Sequence, residues 1–225
     1  VVPLEALYEY CKIARKILCG KNAVGRVIAR PFVKKDGEFI RTANRHDFSL
    51  EPPKPTLLDM LSSNGKAVYA IGKIYDIFAS RGITEHVFTH SNKEGMERTL
   101  EAVSMDFEGL CFTNLVDFDM LYGHRQDIDG YARAFSEFDK WLPSFTEKMR
   151  DDDILIITAD HGCDPGDNST DHTREYIPLV VYGKKIKSEN LGIRKTYADI
   201  SASIAEYFGI DYSGAGESFF SNVKK

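Results

Sequence analysis

Residues 152–162, DDILIITADHG, give the clearest indication of the fold, because a run of apolar residues ends directly in Asp-His-Gly. The continuous apolar stretch Ile154–Ile157 is typical of a strand that is buried on both faces, as in parallel sheets. In open α/β sheets, ligands bind beyond the carboxyl ends of the strands. Asp160 and His161 therefore stand where such a protein places its functional side chains.

The segments around this strand continue an alternation of strands and helices. Short runs rich in Val, Ile, Phe and Tyr predict strands at residues 66–72, 85–90, 108–118, 152–159 and 175–183. Apolar residues at helical spacing predict helices near residues 56–63, 93–105, 127–149 and 197–208. This alternation implies an α/β fold with a mostly parallel sheet and helices on both of its faces.

The first fifty residues follow a different pattern. Residues 4–18 predict an amphipathic helix, and residues 24–48 predict a β-hairpin around the turn signal Asp36-Gly37. Three prolines within residues 52–55 then make the chain stiff and extended, which suits a connection between domains. We therefore expect a small α+β domain at residues 1–50 and an α/β domain at residues 51–225.

The hairpin carries an unusual number of arginines. If the turn sets the register of a single ladder, Phe32 lies opposite Arg41, and Arg30 lies opposite Ala43. Four arginines would then project from one face of the ribbon: Arg26, Arg30, Arg41 and Arg45. Such a face suits either an anion-binding site or a solvated charged surface, and the residues alone leave both interpretations open.

Composition limits the possible functions. The chain has 225 residues, enough for one substantial core with a small appendage, and a net charge of -5, which argues against a nucleic-acid binder. No apolar run approaches the length of a membrane span. Four cysteines without paired short spacing indicate reduced thiols and a cytoplasmic protein. The sequence begins at Val1 without an initiator methionine.

Two further segments carry potential metal ligands. Asp171 and His172 follow His161 after a loop rich in Gly, Pro, Asp and Asn, which can fold back over the strand end. The strand at residues 108–118 is followed by Asp119 and His124. Five residues correspond to about 140° around an α-helix, so we expect a loop rather than one helix face to present this second pair.

The three segments are expected to meet at one edge of the same sheet. Mixed carboxylate and imidazole ligands suit Mn²⁺ or Zn²⁺ better than Ca²⁺, which prefers oxygen ligands alone. Five ligands are too many for one tetrahedral site: Asp119, His124, Asp160, His161 and His172. They suggest a two-metal centre of the kind that serves phosphoryl transfer.

Structural explanations compete with these functional ones. A single Asp-His pair at a strand end can be a capping carboxylate beside a packed imidazole, although three such segments on one edge favour a site. His86 and His90 lie four residues apart, a spacing that can serve a zinc site, but no third ligand clusters with them in the sequence, and His46 is similarly isolated. Gly72-Lys73 lacks the surrounding pattern of a phosphate-binding loop and reads as an ordinary strand-to-helix turn.

Longer strings point to a family. The short motif TADHG with a histidine nearby is shared across the alkaline phosphatase superfamily of two-metal enzymes. The strings NLVDFDMLYGHR, TADHGCDPGDNSTDHTREYIPL and VGRVIARPF with RTANRHDF resemble those of the phosphopentomutases within it. The resemblance extends from Val1 to the C-terminus, and these strings are far more specific than TADHG alone.

The resemblance implies an alkaline-phosphatase-like core with part of a cap domain. It also implies interconversion of ribose 1-phosphate and ribose 5-phosphate, and of the 2-deoxyribose pair, through a phosphothreonine that a sugar bisphosphate activator regenerates. Two Mn²⁺ ions are implied as cofactors, and a pentose phosphate is implied as the small-molecule partner, with no nucleic acid and no membrane.

The family motifs also imply residue roles. One ion would be held by Asp119, His124 and His172, and the other by Asp160 and His161. The hairpin would bind the distal phosphate of the substrate through three residues: Arg26, Ile28 and Arg41. Bidentate contacts make arginine well suited to this role.

The sequence departs from the family at its start. A metal-ligating aspartate and the phosphorylated threonine are expected ahead of the cap, and neither segment precedes Val1 here, so no catalytic nucleophile is assigned and the chain alone is expected to lack mutase activity. Two alternatives stay open. One is another enzyme of the superfamily, a metal-dependent phosphoglycerate mutase or a phosphatase; the other is a metal- or phosphate-binding module without enzymatic activity.

Overall fold

The computed structural model describes residues 2–42 and 44–225. The chain divides into two compact units. The first unit comprises residues 1–55 and 74–81, and the second comprises residues 56–73 and 82–225. The short segment 74–81 follows the first strand of the second unit and packs with the first, an excursion that the sequence pattern does not predict.

The described residues form helices and strands close to the predicted ranges. The helices are α1 (Leu4–Ile17), α2 (Leu57–Ser63), α3 (Ile74–Ile77), α4 (Asn92–Ala102), α5 (Ile128–Thr146), α6 (Ala198–Phe208) and α7 (Phe220–Val223), with a 3₁₀ turn at Gly20–Asn22 and a π-helical turn at Phe118–Gly123. The strands are β1 (Arg26–Ala29), β2 (Phe32–Lys35), β3 (Glu38–Arg41), β4 (His46–Ser49), β5 (Ala67–Ile71), β6 (Glu85–Val87), β7 (Gly109–Thr113), β8 (Leu155–Thr158) and β9 (Leu179–Tyr182).

In the first unit, α1 packs against a ribbon that the sequence predicts as one hairpin. The turn at Asp36-Gly37 forms as predicted, and Phe32 pairs with Arg41 as expected. The prediction of one continuous register is wrong, because β1 pairs with β4 in a separate ladder. In that ladder Arg26 pairs with Ser49, a shift of two residues relative to the hairpin register.

Proline explains the interruption. Pro31 has no N–H to contribute to a ladder, and it lies between β1 and β2, where its carbonyl accepts from Thr42 N at 3.0 Å. The four arginines therefore do not share one continuous sheet face. Ala43, the predicted partner of Arg30, lies outside the described residues.

In the second unit, a three-stranded parallel sheet has the order β6-β5-β7. Its central strand is apolar on both faces and almost fully buried at Val68, Ala70 and Ile71, as expected for a covered parallel strand. A capping box of Thr56 and Asp59 starts α2, which packs beside it. The α/β fold class predicted from the sequence is therefore confirmed.

One pairing differs from the expectation. The sequence predicts that the strands near 152–159 and 175–183 join the parallel sheet, but β8 and β9 form an antiparallel pair of their own, with Ile157 opposite Val180. The described segment between them contains no helix. A parallel connection needs a crossover, usually helical, whereas a chain that returns directly pairs antiparallel.

The C-terminal part packs beside this pair. Ile186, Phe219 and Val223 form a buried cluster, with Ile154 and Leu179 packed against it. Helix α6 ends at Gly209, whose φ of +64° suits a glycine at a helix terminus. No helix within residues 2–42 and 44–225 is long and apolar enough to cross a bilayer.

Candidate metal centre

Three predicted ligands lie together in the second unit. One ligand atom each from Asp119, His124 and His172 falls within 4.8 Å of the others. Oδ1 of Asp119 is 3.3 Å from Nε2 of His124 and 3.3 Å from Nε2 of His172. Both imidazoles are partly open to solvent, so an ion can reach the cluster from outside.

A π-helical turn brings Asp119 and His124 together. The N–H of His124 donates to the carbonyl of Asp119 at 3.1 Å, an i to i+5 hydrogen bond. Residues five apart therefore lie one above the other, which a regular α-helix would not allow. Our expectation of a loop was wrong here, and π-helical turns of this kind are frequent at functional sites.

The loop after β8 returns His172 to the strand end. Gly162 and Thr173 form an antiparallel bridge, with the N–H of Thr173 donating to the Gly162 carbonyl at 3.0 Å. A side chain at position 162 would collide with Thr173, so glycine is needed for this approach. The closure stacks the rings of His161 and His172 at 3.6 Å between centroids, almost parallel.

Backbone carbonyls orient two of the imidazoles. Nδ1 of His124 lies 2.5 Å from the carbonyl oxygen of Thr170, and Nδ1 of His161 lies 2.9 Å from the carbonyl oxygen of Gly162. Because a carbonyl only accepts, Nδ1 carries the proton in both rings. The neutral rings then offer the lone pair of Nε2, as is usual for histidine ligands whose other nitrogen is hydrogen-bonded.

The donor set fits a cation. Oδ1 of Asp119 is buried, and it has no hydrogen-bond partner within the part of the chain that the structure describes. In the neutral form of His124, an anionic oxygen faces an unprotonated nitrogen at 3.3 Å, which is favourable only with a proton or a metal ion between them. One carboxylate oxygen and two imidazole nitrogens suit Mn²⁺ or Zn²⁺.

The second predicted pair adjoins this cluster. Oδ1 of Asp160 is 3.6 Å from Nε2 of His161, and the Asp160 side chain is largely exposed. Tyr197, at the start of α6, donates its hydroxyl to the Asp160 carbonyl at 2.7 Å and so fixes the backbone of this pair. The sequence offers no signal for Tyr197, since the contact joins residues 37 apart.

Cys163 packs between the two ligand-bearing segments. Its sulfur fills the space beside Gly123, where no side chain would fit. Burial raises the pKa of the Cys163 thiol, and the negative charge of Asp119 raises that pKa further. Both effects favour the protonated thiol, which packs beside Gly123.

Asp117, near the cluster, and two of the remaining histidines of the sequence analysis have structural partners. Asp117, which is buried, accepts from the Asn92 N–H at 2.6 Å, while its own N–H donates to Asn92 Oδ1 at 2.8 Å. This reciprocal pair anchors the turn that carries Asp119 to the start of α4. The ring of His46 packs against Tyr8 and Phe48. His86 packs against Phe88, which fits an ordinary aromatic contact better than a zinc ligand.

The predicted phosphate-binding residues lie in the first unit. Arg26 and Ile28 share one face of the β1–β4 ladder, because their partners Ser49 and Asp47 are two residues apart. Arg26 contacts Oδ2 of Asp47 at 3.3 Å, and Arg45 contacts the same oxygen at 3.0 Å. Arg41 lies on the neighbouring β2–β3 ladder, on an exposed strand. The sequence does not reveal the role of Asp47.

This fold and this ligand cluster define a class. The chain belongs to the metalloenzyme superfamily, whose sequence profile matches residues 58–212. Its relatives include the phosphopentomutase of Lachnoclostridium phytofermentans, 58% identical over all of this chain and 58% of that protein. The phosphopentomutase of Carboxydothermus hydrogenoformans is 57% identical over the same shares, and that of Clostridioides difficile is 54% identical over 97% of this chain and 57% of its own length.

These figures confirm the resemblance to phosphopentomutases along the whole chain. The chain spans a little under three fifths of the length of these relatives. Among solved structures, a phosphoglycerate mutase from Leishmania mexicana superimposes with a TM-score of 0.55 at 18% identity, over 72% of this chain and 38% of that one. That likeness supports an alkaline-phosphatase-like fold and says nothing further about activity.

Proposed function

We propose that this chain forms the greater part of a phosphopentomutase, which interconverts ribose 1-phosphate and ribose 5-phosphate and the corresponding 2-deoxyribose phosphates. The observation that supports this most is the cluster of Asp119, His124 and His172, which lies within a chain 53–58% identical to eight phosphopentomutases.

The proposed cofactor is a pair of Mn²⁺ ions. Asp119, His124 and His172 would hold one ion, and Asp160 and His161 would contribute to the other. When bound, such ions neutralise phosphoryl oxygens and lower the pKa of an attacking hydroxyl. The chain's own residues set up the site, since the carbonyls of Thr170 and Gly162 keep Nε2 of two imidazoles free.

The proposed nucleophile is a threonine outside these 225 residues, together with a further carboxylate ligand. A sugar bisphosphate would phosphorylate that threonine at the start of the cycle. We assign residues 1–50 to a partial cap domain and residues 51–225 to the metal-binding core. The protein would act in the cytoplasm, in nucleoside catabolism.

Binding of the substrate's distal phosphate is assigned to Arg26, Ile28 and Arg41. Guanidinium groups offer two parallel donors to phosphate, and Ile28 supplies an apolar contact beside Arg26. Asp47 restrains Arg26 through a carboxylate whose side chain is only 6% exposed. Restraint of this kind reduces the rotamer freedom that an arginine loses when it binds an anion.

A chimeric enzyme tests the proposed function. These 225 residues would replace the matching region of the Lachnoclostridium phytofermentans phosphopentomutase. All of this chain aligns with that region. We expect the chimera to form ribose 5-phosphate from ribose 1-phosphate with Mn²⁺ and a sugar bisphosphate, at a rate within about tenfold of the parent. The same chimera with Asp119→Asn serves as the inactive control.

Two results with the chimera would argue against the proposed function. A chimera that folds and binds Mn²⁺ but does not interconvert pentose phosphates would contradict the proposed function. Activity on 3-phosphoglycerate or on a simple phosphomonoester instead would favour another enzyme of the superfamily.

A further inference from the structure

A ten-residue loop connects the two parts of the centre. Residues 163–172, here named the histidine loop, run from the segment of His161 and end at His172. The pairing of Gly162 with Thr173 closes its base. Most of the loop is exposed, and turns within it use its own residues, such as Asp164, whose carboxylate accepts from the Gly166 N–H at 2.8 Å.

Two side chains that follow the π-helical turn at Phe118–Gly123 reach the histidine loop. Nδ1 of His124 donates to the Thr170 carbonyl at 2.5 Å, and Nε2 of Gln126 donates to the Asp167 carbonyl at 2.6 Å. Within the described chain, these are the two hydrogen bonds that side chains outside the histidine loop make to residues 163–172. The first belongs to a proposed metal ligand. The second belongs to a residue that the proposed function does not use.

Gln126 has a backbone conformation that is uncommon for its type. Its φ is +54°, in the left-handed region that glycine and asparagine occupy more easily. With this conformation the chain turns out of the π-helical turn. The Gln126 N–H donates to the Gly123 carbonyl at 3.0 Å, and the Asp127 N–H donates to the Tyr122 carbonyl. A strained position with a long amide side chain calls for an explanation that the turn alone does not supply, since glycine would make the same turn.

We propose that Gln126 is a positioning residue that fixes the histidine loop over the metal centre. Its amide holds Asp167, near the middle of the loop, while the Gly162–Thr173 bridge holds the base. Between these two points lie Thr170, whose carbonyl orients His124, and His172. Loss of the amide contact would leave both free to move away from Asp119. The proposal rests on the metal centre assigned under the proposed function.

The matched variants are Gln126→Glu and Gln126→Gly in the 225-residue chain. Glutamate has the same size and backbone strain but donates no hydrogen bond at neutral pH, and glycine removes both the side chain and the strain. We expect both variants to bind Mn²⁺ about tenfold more weakly in calorimetric titration, the lower end of what outer partners of metal ligands contribute. Arg125→Ala, next in sequence and bonded to Met120 O, is the control and should bind like the wild type.

Hydrogen exchange gives a second readout that needs no metal. In the metal-free chain, amides of residues 163–172 should exchange faster in Gln126→Glu than in the wild type, with the parallel sheet unchanged. Wild-type affinity and unchanged exchange in both variants would overturn the proposal, as would faster exchange spread evenly over the chain. If the wild type fails to bind Mn²⁺, the proposed metal centre is wrong, and loop exchange alone then decides the role of Gln126.

Discussion

Replacing Asp119 with asparagine should lower the affinity of the chain for Mn²⁺ by at least about 100-fold. The carboxylate supplies the one negative charge in the three-ligand cluster, and its Oδ1 faces both imidazoles at 3.3 Å. An asparagine in the same place offers a neutral oxygen, or turns an amide N–H toward nitrogens that should bind the ion. Both outcomes remove most of the attraction for a hard cation.

Calorimetric titration measures this effect directly. The wild type should show a tight site and a weaker one, because Asp160 and His161 form an incomplete ligand set. Asp119→Asn should remove the tight site. The control is Asp171→Asn, which removes an exposed carboxylate next to His172 but outside the cluster. Equal affinity in Asp119→Asn and the wild type, or two equal sites in the wild type, would contradict this assignment.

Arg41→Ala should reduce kcat/KM for ribose 1-phosphate by roughly 100-fold in the chimeric enzyme, about 2.7 kcal/mol of lost stabilisation. A bidentate contact between arginine and phosphate combines charge and geometry, and alanine retains neither. Arg26→Ala should have a similar effect. It also leaves the buried Asp47 carboxylate with one fewer cationic partner, so Arg41→Ala is the cleaner variant.

The control for both is Lys35→Ala. Lys35 lies opposite Glu38 in the β2–β3 ladder, beside the hairpin turn. It is exposed, like Arg41, but it projects from the other face of the ladder. We expect its kcat/KM to stay within about twofold of the parent chimera. If Arg41→Ala and Arg26→Ala both matched the Lys35→Ala variant, neither arginine would be part of the phosphate site.

Local sequence signals predicted the elements well and their assembly less well. Apolar periodicity located the helices near 127–149 and 197–208, and Asp36-Gly37 located the hairpin turn. The pairing of β8 with β9 escaped prediction, because an apolar strand has the same pattern in either orientation. Pro31 interrupts the ribbon because it has no N–H to donate to a ladder, but the two-residue shift of register depends on how residues 26–29 pair with 46–49.

For the site, too, the residues were easier to predict than the contacts that bring them together. Residue type and position at strand ends were enough to select Asp119, His124 and His172, which the fold brings together. The means of assembly were not visible, because a π-helical turn has no residue signature and the Gly162–Thr173 bridge joins residues eleven apart. Gln126 and Tyr197 act through hydrogen bonds to distant carbonyls, which no pattern in a single sequence encodes.

We infer that Asp119, His124 and His172 together bind a metal ion. Crystals of the 225-residue chain grown with Mn²⁺ and measured for anomalous scattering would locate that ion directly. We predict a peak within about 2.0–2.3 Å of Asp119 Oδ1 and of Nε2 in both His124 and His172, the distances usual for such ligands. A peak at other residues, or none at saturating Mn²⁺, would contradict it.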